Sequence, residues 1–580
     1  MARAWKPNTH RWEIAPAVPD AADLARQLRT TPLVATILHH RGATDVEAGS
    51  RFLKPSLSHL HDPSELPGCE RAAHRIAQAV ANDEKIVIYG DYDVDGMTAV
   101  AILHRCLTMV GASPEFYVPH RLEEGYGVND EAIDAILADG AQLIVTVDCG
   151  ITAEQQLARA REAGVDVIVT DHHRPSETLP DAVAIVHPDL PGESYPNPGL
   201  CGAGVALKLA WQVAREITGA QRVDDRLREF LLDATCLAAL GTIADIVPLR
   251  GENRALAVFG LRGLPQTHHP GLMALLESTN LTGETLDAFH VGFRLAPRLN
   301  ACGRMGHARL AVELLTSAPA EQAGEIARYL AQQNTDRQKT EREIAAQAIE
   351  MVLADGDLDQ RRVIVLASED WHGGVIGIVA SRLVDRFHRP AVLIAINGDG
   401  TGQGSGRSVP GFHMHRALTA CGEHLISYGG HEMAGGVRID SGNIDAFAAA
   451  MEEFGRSSMT AESLEPTLQI DAEATLDDLR YRTVHHLASL SPFGQGNPPP
   501  VIALRGMKLL GQPKRMGKTG KTLGMVLGGE NGRIRAVGFG MGDLAEELIG
   551  VRTVDVAAEP TLNHFRGNTS VELKLRDVKW

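Results

Sequence analysis

Three aspartates stand on alternate positions in the segment Asp91-Tyr92-Asp93-Val94-Asp95-Gly96. The segment follows the apolar run 86–89 and precedes a helix-like stretch over 97–107. It therefore lies at the carboxyl end of a predicted strand, where open α/β sheets bind ligands. Two like charges ~4 Å apart repel by ~4 kcal/mol at an effective dielectric constant near ~20, so the cluster needs a cation. Divalent metals are the cations that carboxylate oxygens suit.

Two other interpretations of this segment can be weighed from the residues alone. An acidic turn that caps the following helix is common, because Asp is a favoured N-cap residue, and the spacing alone leaves this alternative open. A calcium loop of the EF-hand type also begins with D-x-D-x-D-G, but its twelfth position requires a bidentate Glu. Here that position is Ile102, which excludes the calcium loop.

Further ligand-type residues follow other predicted strands. The run 143–147 leads into Asp148, and the run 167–170 leads into Asp171-His172-His173. A lone Asp after a strand is usually a helix cap, but parallel strands bring their carboxyl ends to one edge of a sheet. Asp245 lies inside the apolar segment 241–249 and is a further candidate, because a buried Asp requires a partner. The sequence thus predicts that these side chains converge.

The pattern around these motifs predicts the elements that position them. Short β-branched runs at 85–89, 115–118, 143–147, 167–170 and 182–186 alternate with helical stretches near 97–110, 129–139 and 153–163. This alternation is typical of a parallel sheet covered on both faces. Residues 200–317 are mainly helical, and 318–354 read as one long helix whose polar middle indicates a connection between domains.

A second, smaller α/β unit follows, with strands at 363–366 and 391–396 and a helix at 375–386. After a polar linker near 455–465, short strands around 501–504, 522–527, 533–538, 552–557 and 571–577 predict a small β-barrel or sandwich. We therefore divide the chain into an N-terminal extension (1–50), a first α/β domain (51–317), a connecting helix (318–355), a second α/β domain (356–455) and a β-barrel domain (465–580).

Length and composition agree with a protein of several globular domains. The chain has 580 residues, of which 44% are hydrophobic and 22% are charged, which corresponds to about three or four domains. The seven cysteines contain no C-x-x-C pair, so we expect a reduced, cytoplasmic protein without a disulfide framework or zinc finger. There is no signal-peptide pattern near the start and no apolar run long enough to span a membrane.

Several motifs together resemble those of a known family. Four segments resemble the successive motifs of the DHH phosphoesterase superfamily: Asp-Tyr-Asp-Val-Asp-Gly at 91–96, Asp-Cys-Gly at 148–150, Asp-His-His at 171–173 and Ala-Asp-Ile-Val-Pro-Leu at 244–249. The segments 298–306, 371–382 and 429–431 are similar to those of the RecJ family, the bacterial 5′-to-3′ exonucleases specific for single-stranded DNA. The resemblance extends from about residue 50 to the end. It implies a DHH catalytic domain, a DHHA1-type second domain and a C-terminal barrel of oligonucleotide-binding (OB) type.

The resemblance also implies a metal centre. Two Mn²⁺ or Mg²⁺ ions would be held by Asp93, Asp95, Asp148, His172 and Asp245, with Asp148 suited to bridging. Two adjacent ions can activate water and stabilise the attacking and leaving oxygens of a phosphodiester. Asp91 is either a ligand or a neighbour of the ligands, His173 contacts substrate or orients its neighbour, and Asp171 could equally be a structural cap.

Candidate substrate-binding groups come from other segments. Gly404–Ser408 offers backbone N–H groups, two hydroxyls, among them Ser405, and the guanidinium of Arg407, which together could grip a phosphate. A flexible Gly/Ser loop is the alternative. The resemblance implies that this segment binds the 5′-terminal phosphate. Arg121, Arg304 and His431 are further candidates, although Arg121 could have an ordinary surface role.

The formal charge of −17 argues by itself against a nucleic-acid partner, but the charge is unevenly distributed. Residues 501–529 contain no Asp or Glu, whereas they contain six basic residues, among them Lys514, Arg515, Lys518 and Lys521. On an OB-type barrel such a stretch could follow the backbone of a single strand, and a solvated basic loop is the alternative. The spacing of its glycines and lysines excludes a P-loop.

The residues themselves indicate a site able to hydrolyse phosphodiester bonds. The family resemblance implies two-metal hydrolysis of single-stranded DNA from the 5′ end, with release of mononucleotides. Two alternatives remain: a DHH-family phosphodiesterase acting on pyrophosphate, short oligonucleotides or cyclic dinucleotides, and a non-catalytic DNA-binding scaffold. The family resemblance implies roles in DNA repair and recombination, with single-strand-binding protein and a RecQ-type helicase as partners, and no membrane association.

Overall fold

The structure is a computed structural model that describes residues 10–120, 124, 125, 127–219, 223–304, 308–354, 356, 358, 360–460, 462–529, 532–565 and 567–580. Its strands are β1 Arg11–Ile14, β2 Ile86–Gly90, β3 Glu115–Tyr117, β4 Leu143–Val147, β5 Asp166–Thr170, β6 Ala184–Val186, β7 Ile364–Ser368, β8 Ala391–Ile396, β9 Thr401–Arg407, β10 Leu425–Gly430, β11 Ala434–Asp440, β12 Thr467–Ile470, β13 Ala472–Glu473, β14 Ile502–Leu509, β15 Lys514–Met516, β16 Thr522–Gly528, β17 Arg533–Phe539, β18 Thr553–Phe565 and β19 Asn568–Lys579.

The helices are α1 Ala21–Leu28, α2 Pro32–His40, α3 Val46–Leu53, α4 Cys69–Ala81, α5 Val94–Met109, α6 Asp130–Ala138, α7 Glu154–Glu162, α8 Gly202–Thr218, α9 Asp225–Ala244, α10 Gly251–Gly263, α11 Pro270–Ser278, α12 Ala288–His290, α13 Ala296–Arg304, α14 Ala308–Thr316, α15 Ala320–Ala354, α16 Gly373–Phe387, α17 Met414–Ala420, α18 Ile444–Ser458, α19 Tyr481–Ala488 and α20 Leu544–Glu547. None of the helices that the structure describes has the length and apolar character that a bilayer span requires.

The chain forms two compact units. The DHH unit, which we name after its Asp-His-His motif, consists of the described residues of Glu47–Thr335 and Leu490–Pro498. The composite unit consists of the described residues of Met1–Val46, Asp336–Ser489 and Pro499–Trp580. The long helix that the sequence predicts is confirmed as α15, although our domain boundaries remain predictions.

The DHH unit is built on a five-stranded parallel sheet with the order β3-β2-β4-β5-β6. Alternate residues of the central strands point to opposite faces, and both faces are buried, since Ile88 and Val145 belong to one apolar core and Tyr89 and Ile144 to another. Helices α4, α5 and α8 supply residues to the first core, and α6 and α7 to the second. The predicted doubly covered parallel sheet is therefore confirmed.

The composite unit contains two main sheets. The first is mixed, with the order β10-β11-β9-β8-β7, and only β7 and β8 pair in parallel. The second has the order β13-β14-β18-β19-β17-β16-β15, and an additional pairing between β14 and β16 closes it partly, as in an OB barrel. Strand β1 pairs in parallel with β12, so residues 10–46 of the N-terminal extension are integrated into this unit.

Candidate metal centre

The predicted convergence of aspartates follows from the register of three neighbouring strands. Gly90 of β2 pairs with Val147 of β4, which in turn pairs with Thr170 of β5. The next residue of each strand is an Asp, so Asp91, Asp148 and Asp171 emerge side by side at the carboxyl edge of the sheet. All three are buried, with 3% or less of their surface exposed.

Asp95 is held on the first turn of α5 by the start of another helix. Its Oδ2 atom accepts a hydrogen bond of 2.6 Å from the backbone N–H of Gly202, and its Oδ1 atom accepts one of 2.9 Å from Ala203. The N-terminal end of a helix carries partial positive charge and stabilises a carboxylate. Gly202 has no room for a side chain, because a Cβ atom there would lie 2.6 Å from Oδ1 of Asp148.

Asp93 performs the capping role that the sequence left open as an alternative to metal binding. Its Oδ1 atom accepts hydrogen bonds from the backbone N–H groups of Asp95 and Gly96, at 2.9 and 3.1 Å, and thereby caps α5. Capping occupies one carboxylate oxygen only. Asp93 also lies in a group with Asp91 and Asp148 whose ligand atoms are all within 4.8 Å of one another and could hold an ion.

His172 lies among three carboxylates. Its Nε2 atom is 3.1 Å from Oδ1 of Asp148, 3.6 Å from Oδ2 of Asp245 and 3.7 Å from Oδ2 of Asp95. Asp95, His172 and Asp245 form a second group able to hold an ion, and a third group joins His172 to Asp148 and His173. Asp148 and His172 therefore connect the groups, and the six side chains predicted as metal ligands do meet in one place.

Asp171 supports the two histidines that follow it. Its Oδ1 atom accepts hydrogen bonds from the backbone N–H groups of His172 and His173 and from Nδ1 of His173, and its Oδ2 atom accepts one from Ile151. Burial alone would raise the pKa of Asp171, but these bonds, led by that of His173, lower it to about 2. The pKa of His173 rises against the effect of burial to about 9, because Asp171 stabilises the protonated ring.

The remaining carboxylates repel one another. Burial and the charge of Asp95 raise the pKa of Asp148 well above the ordinary value. Burial and the charges of Asp95 and Asp93 raise the pKa of Asp245 to about 8, and burial and the charge of Asp93 raise that of Asp95 to about 6. Burial and the charge of His173 lower the pKa of His172 to about 3, so its ring is neutral and can act as a ligand.

The donor set fits divalent cations. Oδ1 of Asp148 and Nε2 of His172 are buried and make no hydrogen bond within the described part of the chain. Buried polar atoms without hydrogen bonds are costly, and a cation bound between these two atoms would satisfy both. Carboxylate oxygens combined with one or two imidazoles suit Mn²⁺ or Mg²⁺ better than a soft metal.

The structure of the candidate phosphate-binding segment Gly404–Ser408 differs from the prediction. The sequence suggested a Gly/Ser stretch whose backbone N–H groups are available to a phosphate. Residues 402–407 form part of β9, which is paired with β8 on one side and with β11 on the other. The two ladders use the backbone hydrogen-bonding groups, which are therefore not available to a phosphate. The expectation that main-chain N–H groups of this segment grip a phosphate was wrong for these residues, because the segment is a central strand.

The predicted polar side chains of β9 lie together on one face of the strand. Glycines at 402, 404 and 406 face packed side chains, for example at Gly404, where a Cβ atom would lie 2.4 Å from Val437. Ser405 and Arg407 face the opposite side, where Nη1 of Arg407 donates a 3.0 Å hydrogen bond to Oγ of Ser405. A Cβ atom on Gly377 of α16 would lie 2.8 Å from that Oγ, so Gly377 permits this close approach.

The other predicted substrate-binding residues have different settings. Arg304 is the last residue of α13, and Gly303 before it packs so closely on Tyr92 that a Cβ atom would lie 2.5 Å from the Tyr92 carbonyl oxygen. His431 is exposed in the turn between β10 and β11, and its backbone N–H donates to Ala434. Arg121 lies outside the described residues.

Comparison with known proteins identifies the family. The chain is 38% identical over 570 residues to the single-stranded-DNA-specific exonuclease RecJ of Bacillus subtilis, covering 98% of this chain and 70% of that protein. The chain belongs to the RecJ family. The RecJ structure from Thermus thermophilus in complex with Mn²⁺ matches with a TM-score of 0.83 and 32% identity, over 99% of this chain and 80% of that one. The Mg²⁺ complex from the same organism matches with a TM-score of 0.77 and 30% identity, over 99% and 79%.

Three domain families match in the order that the sequence predicts. They are the N-terminal domain of the DHH family at residues 85–239, the DHHA1 domain at 360–456 and the RecJ OB domain at 470–577. RecJ proteins are metal-dependent hydrolases of the DHH superfamily, and RecJ structures contain Mn²⁺ or Mg²⁺. The predicted cofactors and the predicted fold are thereby confirmed.

The basic stretch lies in the RecJ OB domain. Lys514 and Arg515 are on β15, and Lys518 and Lys521 are in the turn that leads to β16, with all four side chains exposed. Arg515 is paired with two carboxylates from beyond the stretch, Asp543 at 3.1 Å and Glu546 at 3.0 Å. These carboxylates partly compensate the positive charge of Arg515. The sequence of the basic stretch did not indicate this, because the stretch itself contains no acidic residue.

Sequence reasoning did not assign several residues that position this RecJ centre. Oδ1 of Asn300 accepts a hydrogen bond from the N–H of Val94 at the start of α5, and His187 donates from Nε2 to the carbonyl of His173. Gly241 of α9 faces Asp95, where a Cβ atom would lie 2.3 Å from Oδ1. Asn300 stands inside the motif 298–306 and Gly241 begins the apolar segment 241–249, so both could have been noted, but only the packing gives them roles.

Proposed function

We propose that this chain is a metal-dependent exonuclease that degrades single-stranded DNA from the 5′ end and releases mononucleotides. The observation that carries the hydrolytic part is the buried pair of Asp148 Oδ1 and His172 Nε2, 3.1 Å apart and without hydrogen bonds within the described residues. Together with membership of the RecJ family, this pair supports a phosphodiester-hydrolysing centre rather than a structural acidic cluster.

Two adjacent ions would be held by two groups of side chains. Asp91, Asp93 and Asp148 would hold one, and Asp95, His172 and Asp245 the other, with Asp148 next to both. When bound, the ions supply an activated water and neutralise the charge that develops on the phosphate. The sequence left the roles of Asp91 and His173 open. In this proposal Asp91 is a metal ligand, and His173 contributes a positive charge.

The protein side chains around the centre prepare it for an anionic substrate. His173, with its raised pKa, carries a positive charge beside the carboxylates, and Asp171 fixes the orientation of its ring through Nδ1. A charged donor in this position favours a phosphate oxygen over neutral groups. Asp171 acts as an orienting group, because four hydrogen bonds already occupy its carboxylate.

Polarity from the 5′ end would depend on Ser405 and Arg407 of the composite unit. Arg407 is part-buried, is held by Ser405 Oγ and by the carbonyl of Gly406, and presents a guanidinium that suits bidentate phosphate binding. We assign the 5′-terminal phosphate to these two side chains. Arg304 and His431 are further substrate contacts in this proposal, as is Arg121, which lies outside the described residues.

Binding of the remaining strand would use the OB domain. Lys514, Lys518 and Lys521 are exposed and can follow a phosphate backbone, whereas Arg515 would contribute less because Asp543 and Glu546 compete for it. We also propose a cytoplasmic location and roles in DNA repair and recombination, with single-strand-binding protein and a RecQ-type helicase as partners.

The test is digestion of matched oligonucleotides that carry a label at the 5′ or the 3′ end, single-stranded or duplex, with Mn²⁺, Mg²⁺ or a chelator. We expect early release of labelled mononucleotide from the 5′ label on single strands only, and no release with chelator. Early release from the 3′ label would contradict the polarity. Faster turnover of dinucleotides than of long strands would support the small-substrate alternative instead.

A further inference from the structure

Ile246, the residue after Asp245, has an unusual backbone conformation. Helix α9 ends at Ala244 with Asp245 as its C-cap residue, and Ile246 follows with a φ angle of 62°, in the left-handed region. Six non-glycine residues have positive φ within the described part of the chain, namely Arg29, Asp83, Asp148, Ile246, Asn280 and His388, and Ile246 is the only β-branched residue among them.

This conformation has a cost that packing does not offset. The left-handed region is unfavourable by ~1–2 kcal/mol for a residue with a Cβ atom, and more so for a β-branched side chain. Glycine is the usual residue directly after a helix C-cap for this reason. Burial could compensate, but 67% of Ile246 is exposed, whereas Val247 beside it packs against the apolar core. Neither the backbone nor the core therefore explains an isoleucine here.

The surrounding structure enforces the conformation. Nδ2 of the buried Asn253 donates to the carbonyl of Pro248 at 3.1 Å and to that of Gly199 at 2.6 Å. The N–H of Leu249 donates to the carbonyl of Gln495 at 2.8 Å. The chain is thus fixed on both sides of Ile246, by α9 before it and by these bonds after it. Strained residues that are fixed in this way are concentrated at functional sites.

Ile246 directly follows a candidate metal ligand. Its neighbour Asp245 has a carboxylate oxygen 3.6 Å from Nε2 of His172, so Ile246 stands at the edge of the candidate metal centre. We propose that the exposed Ile246 side chain packs against the apolar face of the nucleoside whose phosphate is cleaved. It is then a substrate-positioning residue for any base, because an aliphatic contact reads no hydrogen-bond pattern. This inference rests on the proposed exonuclease function.

The test compares Ile246→Asn, Ile246→Val and the wild-type protein. Asn tolerates the left-handed conformation and removes the apolar contact, while Val retains most of it. We expect Ile246→Asn to lower kcat/KM on single-stranded DNA by about 10-fold or more, mainly through KM, and to leave the melting temperature equal or higher. Ile246→Val should keep activity within about threefold. Equal kcat/KM for Ile246→Asn and wild type would overturn the proposal.

Two controls separate this role from others. Leu232→Asn replaces another exposed aliphatic residue, on helix α9 ~20 Å before Ile246, and should leave kcat/KM unchanged. The Mn²⁺ concentration that gives half-maximal activity should be the same for Ile246→Asn and wild type. Full recovery of the variant at saturating Mn²⁺ would overturn the proposal, since Ile246 would then act through Asp245.

A substrate whose terminal nucleotide is abasic identifies the contacted part of the nucleoside. If Ile246→Asn lowers kcat/KM less on this substrate than on intact DNA, the contact is with the base. If the loss of kcat/KM is unchanged, the contact is with the sugar. Both results support the proposal. Failure of the proposed function is distinguishable, because the wild-type protein would then not degrade single-stranded DNA at all.

Discussion

Gly241 brings helix α9 into direct contact with Asp95. A Cβ atom at position 241 would lie 2.3 Å from Oδ1 of that aspartate, closer than any real contact. Asp95 is fixed from the other side by the N–H groups of Gly202 and Ala203, so it cannot move away without losing them. The position of this candidate ligand is therefore set by the packing of α8 and α9 against it as much as by its own helix α5.

We expect Gly241→Ala to lower the exonuclease rate by at least about 10–100-fold, the loss that accompanies displacement of groups supporting metal ligands. The half-maximal Mn²⁺ concentration should rise with it. Gly292→Ala is the matched control, because a Cβ atom at that position would have no neighbouring atom of the described residues within 4 Å. Wild-type Mn²⁺ dependence of Gly241→Ala would contradict the assignment of Asp95 as a ligand.

Removal of one central carboxylate should separate metal binding from folding. Asp148→Asn is expected to abolish cleavage and to retain measurable DNA binding. It should also lose the stabilisation that Mn²⁺ gives the wild type, a free energy of ~2.7 kcal/mol at 100-fold excess over Kd. In chelator the variant should melt at the wild-type temperature or above it, because Asp148 is buried beside Asp95 and their repulsion is removed. Melting curves with and without Mn²⁺ measure both effects, and an Asp148→Asn protein with full activity would refute the proposed centre.

Arg407 should determine the preference for phosphorylated ends. Loss of a charge-assisted phosphate contact costs ~1.5–3 kcal/mol, so Arg407→Ala should reduce kcat/KM by about 10–100-fold on 5′-phosphorylated strands and much less on 5′-hydroxyl strands. Arg438→Ala, an exposed arginine on the neighbouring strand β11, serves as control. A loss of equal size on both kinds of end would exclude the 5′-phosphate role.

A buried ion pair in the DHH unit should be important for stability. Nζ of Lys208 lies 2.5 Å from Oε1 of Glu252, whose Oε2 accepts a 2.7 Å hydrogen bond from Tyr195, and both charged side chains are 2% exposed or less. Lys208→Met leaves a buried carboxylate without its cation and should lower the free energy of unfolding by about 3–5 kcal/mol. Urea denaturation followed by circular dichroism measures it. The double variant Lys208→Met/Glu252→Gln should recover part of the loss, and a single variant as stable as wild type would contradict this expectation.

The pair of Asp62 and Arg215 should make stability depend on acid pH. Nη1 of Arg215 donates to both carboxylate oxygens of Asp62, at 2.7 and 2.8 Å, and these bonds lower the pKa of Asp62 from 3.8 to about 2. A carboxyl group whose pKa is lower in the folded state contributes stability above its unfolded pKa and loses it as the pH falls through the folded value. Asp62→Asn should therefore reduce the melting temperature at pH 7, with a free-energy effect of about 1 kcal/mol or less.

The difference between the Asp62→Asn protein and the wild type should shrink as the pH falls from about 4 to about 2. Arg215→Gln should show the same pH dependence, since it removes the same pair. The measurement is the melting temperature of each protein from pH 7 to pH 2. If the difference between variant and wild type stays constant with pH, Asp62 contributes through packing alone.

The residues of the candidate metal centre could be proposed from sequence patterns alone. Asp91, Asp148 and Asp171 could be placed together because each directly follows an apolar run, and parallel strands must align their carboxyl ends. Asp245 could be added because a charge inside an apolar segment needs a partner. The alternation of strand-like and helical runs likewise indicated the doubly covered sheet. The long stretch 318–354, with its polar middle, indicated helix α15. Both patterns are local along the chain.

Other features depend on contacts between segments that are distant in sequence, and these became visible only in the folded chain. Thr401–Arg407 reads as a flexible Gly/Ser stretch, yet it is a central strand, because its glycines admit close neighbours from β8, β11 and α17. The partners of Arg515 come from the separate segment 543–546, so the charge of the basic stretch depends on chain folding. The conformation of Ile246 is likewise imposed by Asn253 and the turn around it. Such contacts join residues far apart in sequence, and only the folded chain brings them within hydrogen-bonding or van der Waals distance.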